Sequence, residues 1–344
     1  MTLPTSGNQI KFSDIASEFG YTPNNKLGEY RVNQSIAGKD WVLDSGIPSS
    51  GQIKFSDFHG KRLNIVVESG TGGDEFNVTL TNYWSTKTKT CVGGFKSPES
   101  SLSSQGDKKY HVILRRDYGG SGSVNTSVKS GSWPSGSILN VYVSNNATIY
   151  GRGGDGGYGG WSDGGSGGNG SPGQNAIGFS YDATLTIESG SGIIAGAGGG
   201  GGGGGNHHNP DEGPSDPTFT GGNGGGGRGN PGGGGGGQSG TKSKGGDGYE
   251  GGGWGWDGGN KGHAGGGGGG GGWDAGSIGA GSRGGGAAGN TNGSGGSGGW
   301  GGAPPGSGGS PGNAILRTSG TTVTVVNNGT CSPSSTPVAN DSFN

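Results

Sequence analysis

The chain has 344 residues, 96 of them glycine, and a formal net charge of −2. Only 25% of it is hydrophobic and 13% charged, so side-chain burial cannot fold most of the chain. Highly charged disorder and an electrostatic grip on nucleic acid are also excluded. The glycines come in pairs and runs without a strict Gly-X-Y register, which rules out collagen.

The first residues, Met1-Thr2-Leu3-Pro4, form neither a basic nor an apolar leader. No apolar stretch approaches a membrane span, so the expectation is assembly in a cytoplasm without membrane insertion. A repeat follows: Gly7-Asn8-Gln9-Ile10-Lys11-Phe12-Ser13-Asp14 returns as Gly51-Gln52-Ile53-Lys54-Phe55-Ser56-Asp57. Each copy reads as a strand stub, and its Ser-Asp offers a cap for one helical turn, clearest over Asp14–Phe19 before Gly20. Residues 1–62 are expected to form an arm that docks on partner subunits, with Ile10, Phe12, Ile53 and Phe55 as its attachment side chains. A duplicated structural arm is the alternative.

Residues 63–150 read as β structure. Leu63–Val67 is a short apolar strand, Phe76, Val78 and Leu80 alternate with polar residues, and Tyr110–Leu114 and Leu139–Val143 keep the period of two. A small antiparallel β-sandwich is the economical inference. Its aromatics, Tyr83, Trp84, Trp133 and Tyr142, are assigned to packing.

Residues 151–330 hold most of the glycine, including the runs Gly198–Gly205, Gly232–Gly237 and Gly265–Gly272. Glycine has no side chain to bury and loses the most freedom on folding. The stretch is therefore a disordered spacer, or its backbone is its packing surface. Polyglycine II suits the second reading: it has three residues per turn and no internal hydrogen bonds, so every N–H and C=O seeks a neighbour. At about 3.1 Å per residue the runs span about 25, 19 and 25 Å, similar enough to stack. Matching segments, Gly170-Ser171-Pro172-Gly173-Gln174-Asn175-Ala176-Ile177 and Gly309-Ser310-Pro311-Gly312-Asn313-Ala314-Ile315, suggest a closed module. The fold expected is thus mainly β and irregular: an arm, a small sandwich, a polyglycine II bundle over 151–330 and a C-terminal tail, 331–344.

Little chemistry is visible. Cys91 and Cys331 make neither a zinc site nor a disulfide framework, and whether they pair is open. His207 and His208 beside Asp211 and Glu212 fit no tight metal-ligand spacing. The Gly-x-Gly-x-x-Gly strings lack the strand-to-helix context of a dinucleotide site. The expectation is no enzyme, no cofactor and no metal. What remains is binding, by loops between the runs whose aromatic and polar side chains can stack on sugars or on another protein. The candidates are His207, His208, Asn209, Phe219, Tyr249, Trp254, Trp256, Trp273 and Asp274.

Glycine motifs alternating with aromatic-bearing loops over Gly151–Gly312 resemble the tip adhesins of tailed-bacteriophage fibres, the T-even type above all. The Gly-Gln-Ile-Lys-Phe-Ser-Asp segments are similar to segments of phage tail and baseplate proteins. The resemblance implies a layered polyglycine II sandwich whose loops contact an outer-membrane protein or a surface glycan. It also implies a virion location, with other tail proteins as partners through the N-terminal arm. A structural baseplate or fibre-connector protein is the main alternative. An ice-binding protein and a cell-wall glycine-rich protein fit less well, because of the irregular loops and the missing leader.

Overall fold

The computed structural model describes residues 3–20, 26–121, 125–160, 166–202 and 306–340. It adds isolated positions between 223 and 249 and two short strands beyond them. The chain opens with helix α1 (Phe12–Phe19) and the hairpin β1 (Asn33–Ile36) and β2 (Lys39–Val42). Ala37 and Gly38, between these strands, both have positive φ, as the tightest hairpin turns require.

From Asn64 the chain winds through three sheets in rotation. The first turn is β3 (Asn64–Glu68), β4 (Glu75–Phe76) and β5 (Val78–Thr79), after which β6 (Thr88–Cys91) pairs antiparallel with β3. The second is β7 (Lys109–Leu114), β8 (Tyr118–Gly119) and β9 (Thr126–Lys129). The third is β10 (Ile138–Val143), β11 (Thr148–Tyr150) and β12 (Asn175–Phe179). The fourth begins with β13 (Ala183–Ile187) and β14 (Gly192–Ile194). It then departs through a hairpin, β15 (Trp273–Asp274) and β16 (Ser277–Ile278), before β17 (Ile315–Arg317). The fifth is β18 (Val323–Asn327), β19 (Thr330–Ser332) and β20 (Val338–Ala339).

Equivalent strands of successive turns lie side by side, in the orders β18-β13-β10-β7-β3-β6, β19-β14-β11-β8-β4 and β20-β17-β12-β9-β5. The pairing within all three sheets is parallel except at β6. The described chain is a three-sided β-solenoid. Its interior is one cluster built of stacked columns: Val67, Val112, Val141 and Leu185 along one sheet, Ile149 and Ile193 along the second, Val128, Ile177 and Ile315 along the third. Each such side chain, fully buried, contributes about 1.5–3 kcal/mol.

Two expectations need correction. The structure is mainly β, but its 63–150 region is not an antiparallel sandwich. Alternation fixes which face of a strand is buried and says nothing of its pairing direction, and here each strand of the region except β6 is followed by one in a different sheet. Phe76 and Val78, expected on one strand, sit on two, because Asn77 between them turns the chain at φ 53°. The boundaries drawn at 150 and 330 also fall inside turns of the solenoid, and residues 330–332 and 338–339 are strands of the last one.

Residues 3–20 and 26–62 close the N-terminal end of the solenoid. Leu3, Ile15, Phe19, Tyr30 and Phe58 are buried in the main cluster, and rings of Phe19, Tyr30 and Phe58 meet edge to face at 5.8–6.3 Å. Both copies of the repeat cap their helical turn in the same way. The Asp14 carboxylate accepts the Lys11 N–H, and the Asp57 carboxylate the Lys54 N–H, each at 2.8 Å. Glu18 on α1 ties the arm to the first turns: it accepts the Leu63 N–H at 2.7 Å and forms a buried ion pair with Lys108. The β1–β2 hairpin covers the outer face of the first sheet, with Ile36 and Trp41 against Val66, Val92 and Ile113. Tyr83, Trp84 and Trp133 are buried and Tyr142 packs beside Trp41, as their assignment to packing expected. Cys91 and Cys331 are free thiols, each raised by burial, to about 11 and about 12.

Candidate functional site

The glycine-rich residues leave the solenoid twice, both times at the corner between the second and third sheets. The third turn departs after Tyr150 and returns at Asn175, and the fourth departs after Ile194 and returns at Ile315. In the second turn the same corner is crossed directly, between Gly119 and Thr126. The candidate site is this paired outgrowth.

Its inner segments, 151–158, 168–174, 195–202 and 306–312, lie against one another through their backbones. Gly154 and Gly157 donate to Ala197 and Gly200 oxygens at 2.8 and 2.7 Å, and Gly170 and Gly173 to Ser307 and Ser310 oxygens at 2.9 and 2.8 Å. Gly196, Gly199 and Gly202 donate to Gln174, Ser171 and Gly168, while Gly306, Gly309 and Gly312 donate back to Gly202, Gly199 and Gly196. Every one of these series advances by three residues. The outgoing segments are parallel to each other and antiparallel to the returning ones.

The strand pairing of the solenoid continues into this bundle. Thr148 faces Gly192 and Tyr150 faces Ile194 in the sheet, and at the same sequence offset Arg152, Asp155 and Tyr158 carbonyls press on Gly196, Gly199 and Gly202. Ile177 faces Ile315, and at that offset Gly168, Ser171 and Gln174 oxygens press on Gly306, Gly309 and Gly312. At each of these glycines a Cβ would overlap the neighbour's carbonyl oxygen. Larger side chains occur where the backbone faces away, Arg152, Asp155 and Tyr158 at every third position on one segment and Ser307 and Ser310 on another, whereas Ala197 is buried beside Ile194 and Tyr150.

Polar side chains anchor this arrangement. Asp155 accepts Arg152 at 2.7 Å and the Gly234 N–H at 2.6 Å. Asn223 accepts the Gly159 N–H through its side chain at 2.6 Å and the Tyr249 N–H through its backbone oxygen at 2.9 Å. Where the segments rejoin the solenoid, Asn175 donates its backbone and side-chain N–H to the Asn125 oxygen and accepts the Asn313 N–H at 2.8 Å. Arg228, 6% exposed, is lowered from its ordinary value by burial, with Tyr150 acting in the opposite sense.

Among the nine proposed receptor contacts, Tyr249 is 52% exposed. Trp273 and Asp274 are in β15, opposite Ile278 and Ser277. His207, His208, Asn209, Phe219, Trp254 and Trp256 lie outside the described residues. Sequence reasoning passed over Tyr158, 67% exposed on the bundle. The signal was there, in the three-residue spacing of Arg152, Asp155 and Tyr158 among glycines. Of the four proposed attachment residues, Ile10, Phe12 and Ile53 are partly buried against the main cluster. Phe55 is 42% exposed, with its ring 6.5 Å from that of Phe12.

The site is thus a backbone-packed glycine bundle rooted in a β-solenoid. No known family and no curated protein matches the chain. Among solved structures it is similar to the gp37–gp38 adhesin tip complex of the bacteriophage S16 long tail fibre. The likeness has 18% sequence identity over 94% of this chain and 97% of that one, with a TM-score of 0.37.

Proposed function

We propose that the chain is a phage tail adhesin that recognises a bacterial surface receptor, an outer-membrane protein or a glycan, by non-covalent contact. In this reading the glycine segments form a polyglycine II sandwich, and the segments beyond it carry the receptor contacts. The observation that carries the proposal is the bundle itself. It is held by backbone hydrogen bonds at every third residue, leaves no room for a side chain at its facing glycines, and presents Tyr158 and Tyr249 outside. A rigid scaffold of this kind lowers the ordering cost that displayed groups incur on binding. The N-terminal arm, with Phe12 and Phe55 as a ring pair at its surface, is the proposed contact with other tail proteins. No catalytic step, cofactor or metal is needed.

The test is to graft residues 206–220, 238–257 and 273–283 into the corresponding adhesin of a related phage and score adsorption across host strains. Host range is expected to follow the grafted segments. Unchanged adsorption after all three replacements would sink the reading.

A further inference from the structure

At the corner where the third sheet passes into the first, the first two turns of the solenoid leave a gap between them. Thr81 and Asn82 follow β5, residues 132–135 follow β9, and the one-turn helix Leu102–Gln105, between β6 and β7, stands against both. They enclose an open cleft of about 710 Å³, a volume typical of small-molecule sites. The glycine outgrowth leaves from a different corner, and none of the proposed receptor contacts lines this cleft.

Its walls are held by the fold itself. Trp133 is buried, with its ring 4.7 Å from that of Tyr110 and its Nε1–H donated to the Ser130 oxygen at 3.0 Å. Tyr110 donates its hydroxyl to the Gly106 oxygen at 2.9 Å, which ties down the end of the helix. Tyr181 of the third turn donates to the Pro134 oxygen, also at 2.9 Å. At Gly131 a Cβ would overlap Thr81, so the two loops approach this closely only with glycine there.

The lining selects a ligand class. Leu102, Trp133 and Pro134, buried or half-buried, make an apolar floor, and the exposed Asn82, Ser103 and Ser132 make a rim of one amide and two hydroxyls. Among the described residues no charged side chain lines the cleft, so an anion finds no cation. A wholly apolar ligand would strip the rim of water and leave it unpaired. A peptide finds no strand edge to extend, because turns and a helix form the walls. A pyranose matches, with apolar C–H faces ringed by neutral hydroxyls that donate and accept. Gln105, three residues after Leu102 and so on the same side of the helical turn, is 3% exposed. Its Oε1 accepts the Glu99 N–H at 2.7 Å, while its Nε2 has no partner among the described residues. A hydroxyl seated beside Leu102 supplies the acceptor that this amide lacks. We propose that the cleft binds a short neutral oligosaccharide, at a site separate from the outgrowth.

The experiment is saturation-transfer NMR on the full chain with maltotriose, cellotriose and chitotriose, and with trigalacturonate as an anionic comparison. At least one neutral trisaccharide is expected to show saturable transfer, and trigalacturonate none. Ser132→Trp, which fills the cleft from an exposed position, is expected to abolish the signal with unchanged melting. Asn82→Ala removes a rim amide that caps no helix and is expected to weaken binding about tenfold. Thr324→Trp, at an exposed position on β18, is expected to bind like the wild type. Absence of transfer from all three neutral sugars overturns the proposal, as does equal binding of trigalacturonate or wild-type binding by Ser132→Trp. The outcome is independent of the graft that tests the adhesin reading, since no grafted residue lines the cleft.

Discussion

At Gly199 the bundle leaves no room for a methyl group. Its N–H donates to Ser171, its oxygen accepts from Gly309, and a Cβ would overlap the Asp155 carbonyl. Gly199→Ala is therefore expected to cost about 1–3 kcal/mol or more, as overpacking does. Ser310→Ala, at an exposed position of the neighbouring segment, should stay within about 0.5 kcal/mol. Comparing their melting temperatures checks this, and equal values would mean the segments do not pack. His111 offers a second residue-scale test. Buried against Asn64, Trp41 and Tyr142, it is lowered by desolvation to about 3. The unfolded chain takes up this proton near pH 6.5 and the folded one does not. Stability is present above that pH and falls by up to about 1.4 kcal/mol per unit as pH drops toward 3. Urea unfolding from pH 7 to pH 4 should show that slope, and His111→Gln should flatten it.

At the scale of elements, a helical turn in each duplicated Ile-Lys-Phe-Ser-Asp segment was legible, but its start was read two residues late: Lys11 and Lys54 are the N-caps, and Asp14 and Asp57 reach back to them from the third helical position. The carboxylate three residues after the N-cap satisfies the N-cap N–H, the reciprocal half of a capping box. Asp14→Ala and Asp57→Ala are each expected to cost about 0.5–2 kcal/mol, the usual worth of a cap, in thermal unfolding. What sequence could not show was where the duplicated segments pack, since Glu18 meets Lys108 only through tertiary structure. Removing one partner of that buried pair, as in Lys108→Met, should cost about 3–5 kcal/mol. It should also raise hydrogen exchange in residues 3–20 before the solenoid yields. Strand positions were likewise legible from alternation, as at Leu139–Val143, whereas their parallel partners lie a whole turn away and leave no local mark. The repeat at Gly170 and Gly309 was read as the boundary of a module. In the structure its two copies are neighbours, paired across successive turns through Asn175 and Asn313.

For the whole molecule, the solenoid and the outgrowth divide the work. The second turn crosses the corner with the short path from Gly119 to Thr126, so the solenoid does not need the excursions. Replacing residues 151–174 and 195–314 by copies of that short crossing is expected to leave a cooperatively melting solenoid and, on the proposed adhesin reading, to abolish adsorption to host cells. The excised glycine segments alone should show no cooperative transition, because the pairing offset that aligns them is set by the strands at their roots. If they folded unaided, the solenoid would not be their template. Composition alone marked the glycine-rich half as unusual, but not that it grows from two consecutive turns of one coil.

Gly306 donates to the Gly202 oxygen at 2.8 Å, so the chain between these two residues starts and finishes at a single clasp. The entropy of closing a loop on such a clasp rises only with the logarithm of its length, about 0.6 kcal/mol for each doubling. Within the interval Asn223, Gly227, Arg228 and Gly234 hydrogen-bond to the bundle, so insertions, deletions and exchanges cost the fold little only where they leave these residues in place. On the adhesin reading proposed above, the clasp makes the rest of that interval a replaceable cassette, exchanged while those four anchoring residues stay in place.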